Sequence, residues 1–407
     1  MQRSEILRWL RETDERRLES LWARADAVRR EHVGDAVHLR GLIEISNHCV
    51  RRCAYCGLRA ENTRLQRYRM TADEVLECAR QALELGYGTV VLQAGEDPAL
   101  TVDRVADLVR RIKAETGLAV TLSLGEQDEA TLRAWRDAGA DRYLLRFETS
   151  NRTLLDRIHP SLPRRRSDRV ALLRVLGDLG YEVGSGVMVG IPGQSYDDLA
   201  SDIELFRELD LDMIGVGPWL PHPDTPLGAG IEQAGREPGG SGRAGGDERA
   251  CVRRLSCGEV VGNGRDSRAQ ATSHGKAEGR QVPNTELMTY RVVALARLVC
   301  PRANIPSTTA LATLNRDSGR ELGLQRGANV VMPNLTPPKY RRLYEIYPAK
   351  ACLYEEPGRF HADLVRRIRA LGRTVGTGAG LSPNWQLRMN VKGARADCPV
   401  PDRDGQK

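Results

Sequence analysis

Three cysteines stand close together in the run Asn47-His48-Cys49-Val50-Arg51-Arg52-Cys53-Ala54-Tyr55-Cys56-Gly57. The spacing C-x3-C-x2-C offers a [4Fe-4S] cluster three thiolates where four ligands complete its coordination. One iron is then open to a small molecule, and an open iron is a reactive site. A zinc reading needs a second C-x2-C pair or an H-x3-5-H partner further on, and none follows. A disulfide reading needs an oxidising compartment, yet the chain starts Met1-Gln2-Arg3-Ser4-Glu5 with no apolar signal segment. The expectation is a reduced, cytoplasmic cluster protein.

The elements that must position these thiols alternate between short β-branched runs and longer segments of helical period, the pattern of parallel strands joined by crossover helices. Eight strands are expected: Leu39 to Ser46, Thr89 to Gln93, Ala119 to Leu124, Arg142 to Phe147, Glu182 to Val189, Met213 to Gly217, Asn304 to Thr309 and Asn329 to Met332. Helices are expected over Thr71 to Leu85, Val102 to Glu115, Asp128 to Ala138, Arg169 to Leu179, Tyr196 to Leu209 and Glu286 to Val299. Thr71-Ala72-Asp73-Glu74 reads as a capping box, and Gly86, Gly117, Gly139 and Gly180 stand where helices should stop. The fold class is therefore α/β, a (β/α)8 barrel of the TIM type. Its domain plan is a helical extension over 1–35, the barrel over 36–350, and a C-terminal helix with a loose tail over 351–407. Residues 228–282 interrupt the barrel with Gly, Arg, Ser and Ala and little apolar periodicity. Such a stretch cannot bury enough apolar surface to offset roughly 1 to 2 kcal/mol of ordering entropy per residue, so a disordered insertion is expected. Cys251 and Cys257 inside it read as spare thiols.

At 407 residues the chain is long enough for a full barrel, which takes roughly 250. Its net charge of +7 rests on 61 basic residues, of which six are lysines. The arginines are scattered along amphipathic segments and aromatic content is only 5%, which argues against nucleic-acid binding. No stretch approaches the roughly 20 apolar residues of a membrane span.

The cluster loop, with Tyr55 before its last cysteine and the run Ile43-Glu44-Ile45-Ser46 ahead of it, resembles that of the radical S-adenosylmethionine (SAM) superfamily. That resemblance implies a cluster loop after the first strand of a barrel, with the chemistry at the carboxyl ends of the strands. It implies that the free iron chelates SAM and that one electron through the cluster releases a 5′-deoxyadenosyl radical inside a closed cavity. Cys49, Cys53 and Cys56 would be both metal ligands and catalytic residues. The SAM site would draw on Tyr55, Gln93, Gly95, Glu96, Asp97, Thr121, Glu148 and Arg169. Gly95-Glu96-Asp97 occupies the position of the motif that meets the methionyl amino group; Glu148 would accept from ribose hydroxyls, and Arg169 would fork onto the carboxylate.

More narrowly, the chain resembles the HydE family of [FeFe]-hydrogenase maturases. The likeness runs through Gly57-Leu58-Arg59, Arg67-Tyr68-Arg69-Met70, Leu92-Gln93-Ala94-Gly95-Glu96-Asp97-Pro98, Thr121-Leu122-Ser123-Leu124-Gly125-Glu126 and Arg142-Tyr143-Leu144-Leu145-Arg146-Phe147-Glu148-Thr149. It continues through Met188-Val189-Gly190-Ile191-Pro192-Gly193-Gln194, the segment Gly217 to Pro226, Asn304-Ile305-Pro306-Ser307-Thr308-Thr309-Ala310 and the segment Gly327 to Asn334. It implies a role in H-cluster maturation on an iron-cysteine carbonyl cyanide precursor, with other hydrogenase maturases and a reductant of the ferredoxin or flavodoxin type as partners. The substrate site would be Arg146, Met213, Thr308, Thr309, Met332, Tyr344 and Tyr347: Arg146 and the threonines for an anionic guest, the methionines and tyrosines as a softer wall.

The chain also departs from the family pattern. Some members carry a second cluster on three C-terminal cysteines; here Cys352 takes the first position, and Glu355-Glu356-Pro357-Gly358-Arg359-Phe360-His361 holds no cysteine pair. One cluster is expected. Ala94 stands where related sequences often have serine, and the insertion is foreign to the family. Methylornithine synthase and biotin synthase share the motif and architecture, so an organic substrate is the rival reading. A non-catalytic iron-sulfur scaffold or carrier is the rival from another class.

Overall fold

The computed structural model describes residues 1–229 and 281–396. The insertion expected at 228–282 falls outside the described residues apart from its two ends, and so do Cys251 and Cys257. Among the described residues, eight strands form one parallel sheet: β1 Ala36–Ser46, β2 Thr89–Ala94, β3 Ala119–Ser123, β4 Arg142–Leu144, β5 Glu182–Val189, β6 Met213–Pro218, β7 Val330–Val331 and β8 Thr374–Val375. The hydrogen-bonded order is β6-β5-β4-β3-β2-β1-β7, with β8 also on β1.

The helices begin where side chains can take up their first free N–H groups. Thr71 and Glu74 form the reciprocal capping box ahead of Ala72–Glu84, and Thr101, Asp128 and Ser195 cap the helices Val102–Thr116, Glu129–Asp137 and Tyr196–Glu208. Gly117 ends the second of these at φ +67, with no atom near the place of a Cβ, so backbone conformation and not crowding asks for glycine there. The two N-terminal helices, Arg3–Arg11 and Glu15–Val33, bury Ile6, Leu10, Leu18 and Leu21 against the outer helical layer, Tyr196–Glu208 and Glu286–Val299.

Two expectations need correction. Asn304 to Thr309 is not a strand. Asn304 bridges Met213, Pro306 bridges Val330, and Thr308 is already the N-cap of the helix Thr309–Leu314. Pro306 has no N–H for a ladder, and two threonines ahead of an alanine-leucine run start a helix sooner than they extend a strand. The segment nevertheless fills the seventh position and joins β6 to β7, so the barrel closes. The second correction concerns the tail: Pro383–Ala396 is a helix, tied to the barrel by Arg388 on Asp212 at 2.5 Å and Asn384 on the Asp210 carboxylate at 2.9 Å.

Inward-facing residues form layers. The lowest is charged: Arg142 Nε donates to Glu182 at 2.6 Å, and Arg40 lies 3.9 Å from the same carboxylate. The segment before Pro383 closes this foot, because the carbonyls of Ala379 and Gly380 accept from Arg142 and Arg40 at 2.8 and 3.0 Å. Arg142 is thus an element of the base. Four residues further on, and higher in the barrel, Arg146 faces a cavity.

Candidate active site

The cluster loop leaves β1 at its carboxyl end. Arg67 stitches it, donating to the carbonyls of Asn47, Leu58 and Arg59 at 2.6 to 2.8 Å, while Val50 N–H donates to the Glu96 carbonyl at 2.9 Å and Gly57 N–H to that of Ile346 at 3.1 Å. Gly95 lets the loop after β2 approach: a Cβ there would meet the His48 carbonyl and lie 2.7 Å from Cys49 Cβ. Cys53 is buried, Cys49 and Cys56 half-buried, and all three are free thiols. Burial first, and Cys49 beside it second, push the Cys56 thiol up to about 12. Thiols so buried ionise only against a strong positive charge, which iron brings. Arg51 N–H points at Cys49 Sγ at 3.4 Å, the kind of amide donor that stabilises a sulfur ligand. Three convergent thiols on one stitched loop, with Cys56 lining a cavity, fit an iron-sulfur cluster.

Behind the loop lies a lattice of buried ions. Arg51 Nε donates to Glu96 Oε2 at 2.6 Å, and Arg51 Nη2 lies 3.1 Å from Glu126 Oε2. Glu126 Oε1 accepts from Ser167 Oγ at 2.6 Å and Arg169 Nε at 2.9 Å, and stands 3.1 Å from His159 Nε2. The other ring nitrogen of His159 is 3.0 Å from Cys53 Sγ. Burial alone would raise the Glu126 carboxyl, but His159, Arg169 and Ser167 together hold it well below the usual carboxylate range. Burial takes His159 the other way, down to about 4, so the imidazole is neutral. Glu96, Glu126 and His159 bring three donor atoms within 4.8 Å of one another. Both carboxylates already neutralise guanidinium groups there, which makes the group an ion-pair lattice and not a metal site.

Above the loop, an upper cavity is lined by Tyr55, Cys56, Gln93, Ala94, Ser123, Arg146, Glu148, Arg169, Met188, Trp219 and Tyr347. A deeper cavity inside the barrel is lined by Glu44, Gln93, Ser123, Arg146, Met213, Thr308, Thr309, Met332, Asn334, Tyr347, Lys350 and Cys352. Gln93, Ser123, Leu144, Arg146, Ala310, Ile346 and Tyr347 belong to both, so the two spaces are continuous. β4 makes this possible. Its ladder stops at Leu144 and resumes in a single bridge at Glu148, which sits at φ +65. That irregular stretch turns both Arg146 and Glu148 to the cavity, their Nη2 and Oε2 3.0 Å apart.

Of the residues expected to hold SAM, Tyr55, Gln93, Glu148 and Arg169 line the upper cavity with Cys56, and Gly95 forms the close approach to Cys49. The carboxylate of Glu96 is turned to Arg51, and that of Asp97 to Arg69 at 2.7 Å and Ser46 at 2.6 Å; neither residue lines either of the two cavities. Arg169 does line it, but its nitrogens have partners in Glu126, the Arg146 carbonyl and His159. Thr121 lies a layer lower on β3, its hydroxyl buried and unpartnered among the described residues; two residues on, Ser123 takes the cavity position. Of the expected substrate residues, Arg146, Met213, Thr308, Thr309, Met332 and Tyr347 line the deep cavity. Tyr344 stands behind Gln93, accepting from Nε2 at 3.2 Å. The sequence alone assigns no role to Ser123, Trp219, Glu126, His159, Glu44 or Lys350. The signal was present for Ser123, the next inward residue on β3, and for Glu44, a carboxylate in an apolar strand.

Residues 43–206 match the family model of the radical SAM superfamily. The chain is 41% identical over 358 residues, 88% of its own length and 87% of the relative's, to the [FeFe] hydrogenase maturase subunit HydE of Thermotoga maritima. It is 31% identical to the 3-methylornithine synthase of Methanosarcina acetivorans over 52% of this chain and 60% of that one. Among solved structures, methylornithine synthase (PylB) matches with a TM-score of 0.69 at 24% identity, covering 92% and 94% of the two chains. The hydrogenase maturase HydG matches at 0.65 and 18%, covering 92% and 72%. Those two likenesses concern the fold alone. The HydE likeness runs through sequence and nearly the whole of both chains, and with three thiols gathered at the carboxyl ends of the strands the chain belongs to the HydE family, radical SAM enzymes of [FeFe]-hydrogenase maturation.

Proposed function

We propose that this enzyme binds SAM in the upper cavity and an iron-cysteine carbonyl cyanide precursor of the hydrogenase diiron subcluster in the deep cavity. The observation that carries the reading is the continuity of the two spaces: a radical generated beside Cys56 has a continuous path through the shared lining to Thr308 and Thr309. Cys49, Cys53 and Cys56 would hold the cluster, which when bound would pass an electron from the reductant to SAM for its cleavage.

The chain's own residues do the rest. Gly95 brings the loop after β2 against the cluster loop, so its backbone is the partner offered to the methionyl amino group. Glu148, aimed into the upper cavity by its left-handed backbone, accepts from ribose hydroxyls; Tyr55 and Trp219 give the adenosyl group apolar walls. Arg169 lends positive charge to the methionyl carboxylate from a position fixed by Glu126. Below, Arg146 and Thr309 hold the anionic end of the substrate, while Met213, Met332 and Tyr347 provide apolar, polarisable contact around its diatomic ligands. A single cluster is part of the proposal, as are a small reductant protein and the other maturases as partners.

Anaerobic reconstitution tests it. About four irons per chain are expected, and about eight would overturn the single-cluster reading. With dithionite and SAM the protein should release 5′-deoxyadenosine, and Cys56→Ser should lose both cluster and cleavage. Maturation of apo-hydrogenase should then depend on the protein together with its partner maturases. Formation of methylornithine from lysine and SAM would favour the organic-substrate rival instead, and failure to cleave SAM would favour a carrier.

A further inference from the structure

β1 carries Ile43 and Ile45 outward into the helical layer, and between them Glu44 inward, 2% exposed. A carboxylate inside a barrel must be partnered or it is strongly destabilising. Glu44 Oε1 accepts from Lys350 Nζ at 2.7 Å, but Oε2 has no hydrogen-bond partner among the described residues. Lys350 is committed there, its ammonium also lying 5.0 Å over the Tyr344 ring. Across the same cavity Arg146 uses Nη2 on the Val187 carbonyl at 2.6 Å and on Glu148, and its Nε is unpartnered among the described residues. The deep cavity therefore has an unsatisfied acceptor on the β1 wall and an unsatisfied donor on the β4 wall.

A simple anion would satisfy Arg146 and face Glu44 with like charge; a simple cation would do the reverse. A ligand bearing an amine and a carboxylate satisfies both and adds no net charge. We propose that the deep cavity recognises the amino-acid part of its substrate at both ends: Glu44 Oε2 accepts from the α-amine N–H groups while Arg146 Nε, with Thr309 on the lining of the same cavity, donates to the carboxylate. Glu44 is then a specificity-determining residue. This rests on the deep cavity being the substrate cavity of the proposed function, and it names the group that selects amine-bearing substrates there.

The test is calorimetric titration of cluster-loaded, SAM-saturated enzyme with three matched probes: L-2-aminobutyrate, butyrate and n-propylamine. None carries a thiol, and saturation keeps the SAM site out of the comparison. The amino acid should bind at least about tenfold tighter than either single-ended probe, as a charge-assisted hydrogen bond implies. In Glu44→Gln its advantage over butyrate should fall to about twofold or less, while the advantage over propylamine stays. Because that change strands Lys350, Glu44→Gln/Lys350→Met serves as the variant without a buried unpaired charge, with the same expectation. Equal binding of aminobutyrate and butyrate by the unaltered enzyme, no binding of any probe, or an advantage that survives in both variants overturns the proposal. SAM cleavage measured on the same preparation stands apart: its loss sinks the functional reading, whereas normal cleavage with undiscriminating binding sinks only the role of Glu44.

Discussion

Glu126 is the keystone of the lattice behind the cluster loop, and its removal has a magnitude that the geometry sets. The side chain is buried at 4% exposure and bonds Arg169 Nε at 2.9 Å and Ser167 at 2.6 Å, with Arg51 at 3.1 Å. Glu126→Ala leaves Arg169 with the Arg146 carbonyl, His159 and one carboxylate, that of Glu148, 3.9 Å away, and leaves Glu96 as the carboxylate partner of Arg51. Breaking a buried pair from one side costs about 3–5 kcal/mol, a large share of a total stability of about 5–15 kcal/mol. At about 2 °C per kcal/mol for a large chain, the melting temperature should fall by roughly 6–10 °C. Glu126→Gln keeps an acceptor for Ser167 and Arg169 and should lose about half of that. Glu129→Ala, which removes an exposed (i,i+4) partner of Arg133, is the control and should cost well under 1 kcal/mol.

Anaerobic thermal unfolding with and without cluster is the assay, read beside iron content. Since Arg51 belongs to the loop and His159 reaches Cys53, the alanine variant should also reconstitute with less iron. The sign with pH follows from a depressed carboxyl: its contribution is complete above the unfolded value of about 4.3 and lost only as pH falls through the lower folded value. The gap between wild type and Glu126→Ala should hence stay constant from pH 8 to pH 5. A melting temperature within 2 °C of wild type together with full iron loading would refute the reasoning, and so would a gap that closes above pH 5.

Three further outcomes follow from the same structure. Gly95→Ala should cut reconstituted iron by more than half with far-UV dichroism unchanged, because the new methyl group displaces the His48 carbonyl and Cys49; full loading would contradict that close approach. A chain cut after Val375 loses the carbonyl partners of Arg142 and Arg40 and the Ser382 N–H that donates to Glu182 at 3.0 Å. At about 1.5–3 kcal/mol for each bond to a charged group, it should be insoluble or melt at least 10 °C lower, and a soluble chain of normal melting temperature would show that the segment closing the foot of the barrel is dispensable. Glu74, which burial would raise, is lowered to about 2 by Lys339, Thr71 and Tyr340. Glu74→Gln should cost about 1 kcal/mol at neutral pH, and the difference should vanish as pH falls from about 4.3 towards 2; a difference independent of pH over that window would exclude the charged cap.

What the sequence makes legible here depends on whether a physical constraint acts between near or distant neighbours. The cluster thiols are read from spacing because one loop must carry all three. The first six strands follow from β-branched runs because each must be apolar on two faces. The seventh fails at Pro306, where the chain keeps the strand's place and loses its ladder, and β8 is two residues long, too short for any period. The lattice fails for another reason: Arg51, Glu96, Glu126, His159 and Arg169 come from five different segments, and no window contains a charge and its partner. Glu44 and Lys350 stand 306 residues apart. Yet the half of that pair in β1 was not silent. In Ile43-Glu44-Ile45 a carboxylate interrupts a strand that has no solvent face, so folding requires a cation or donor to meet it inside the barrel. A buried charge in such a strand therefore announces a partner whose position the sequence withholds. It also marks the inner wall, where any second, unmet valence of that charge belongs to a ligand.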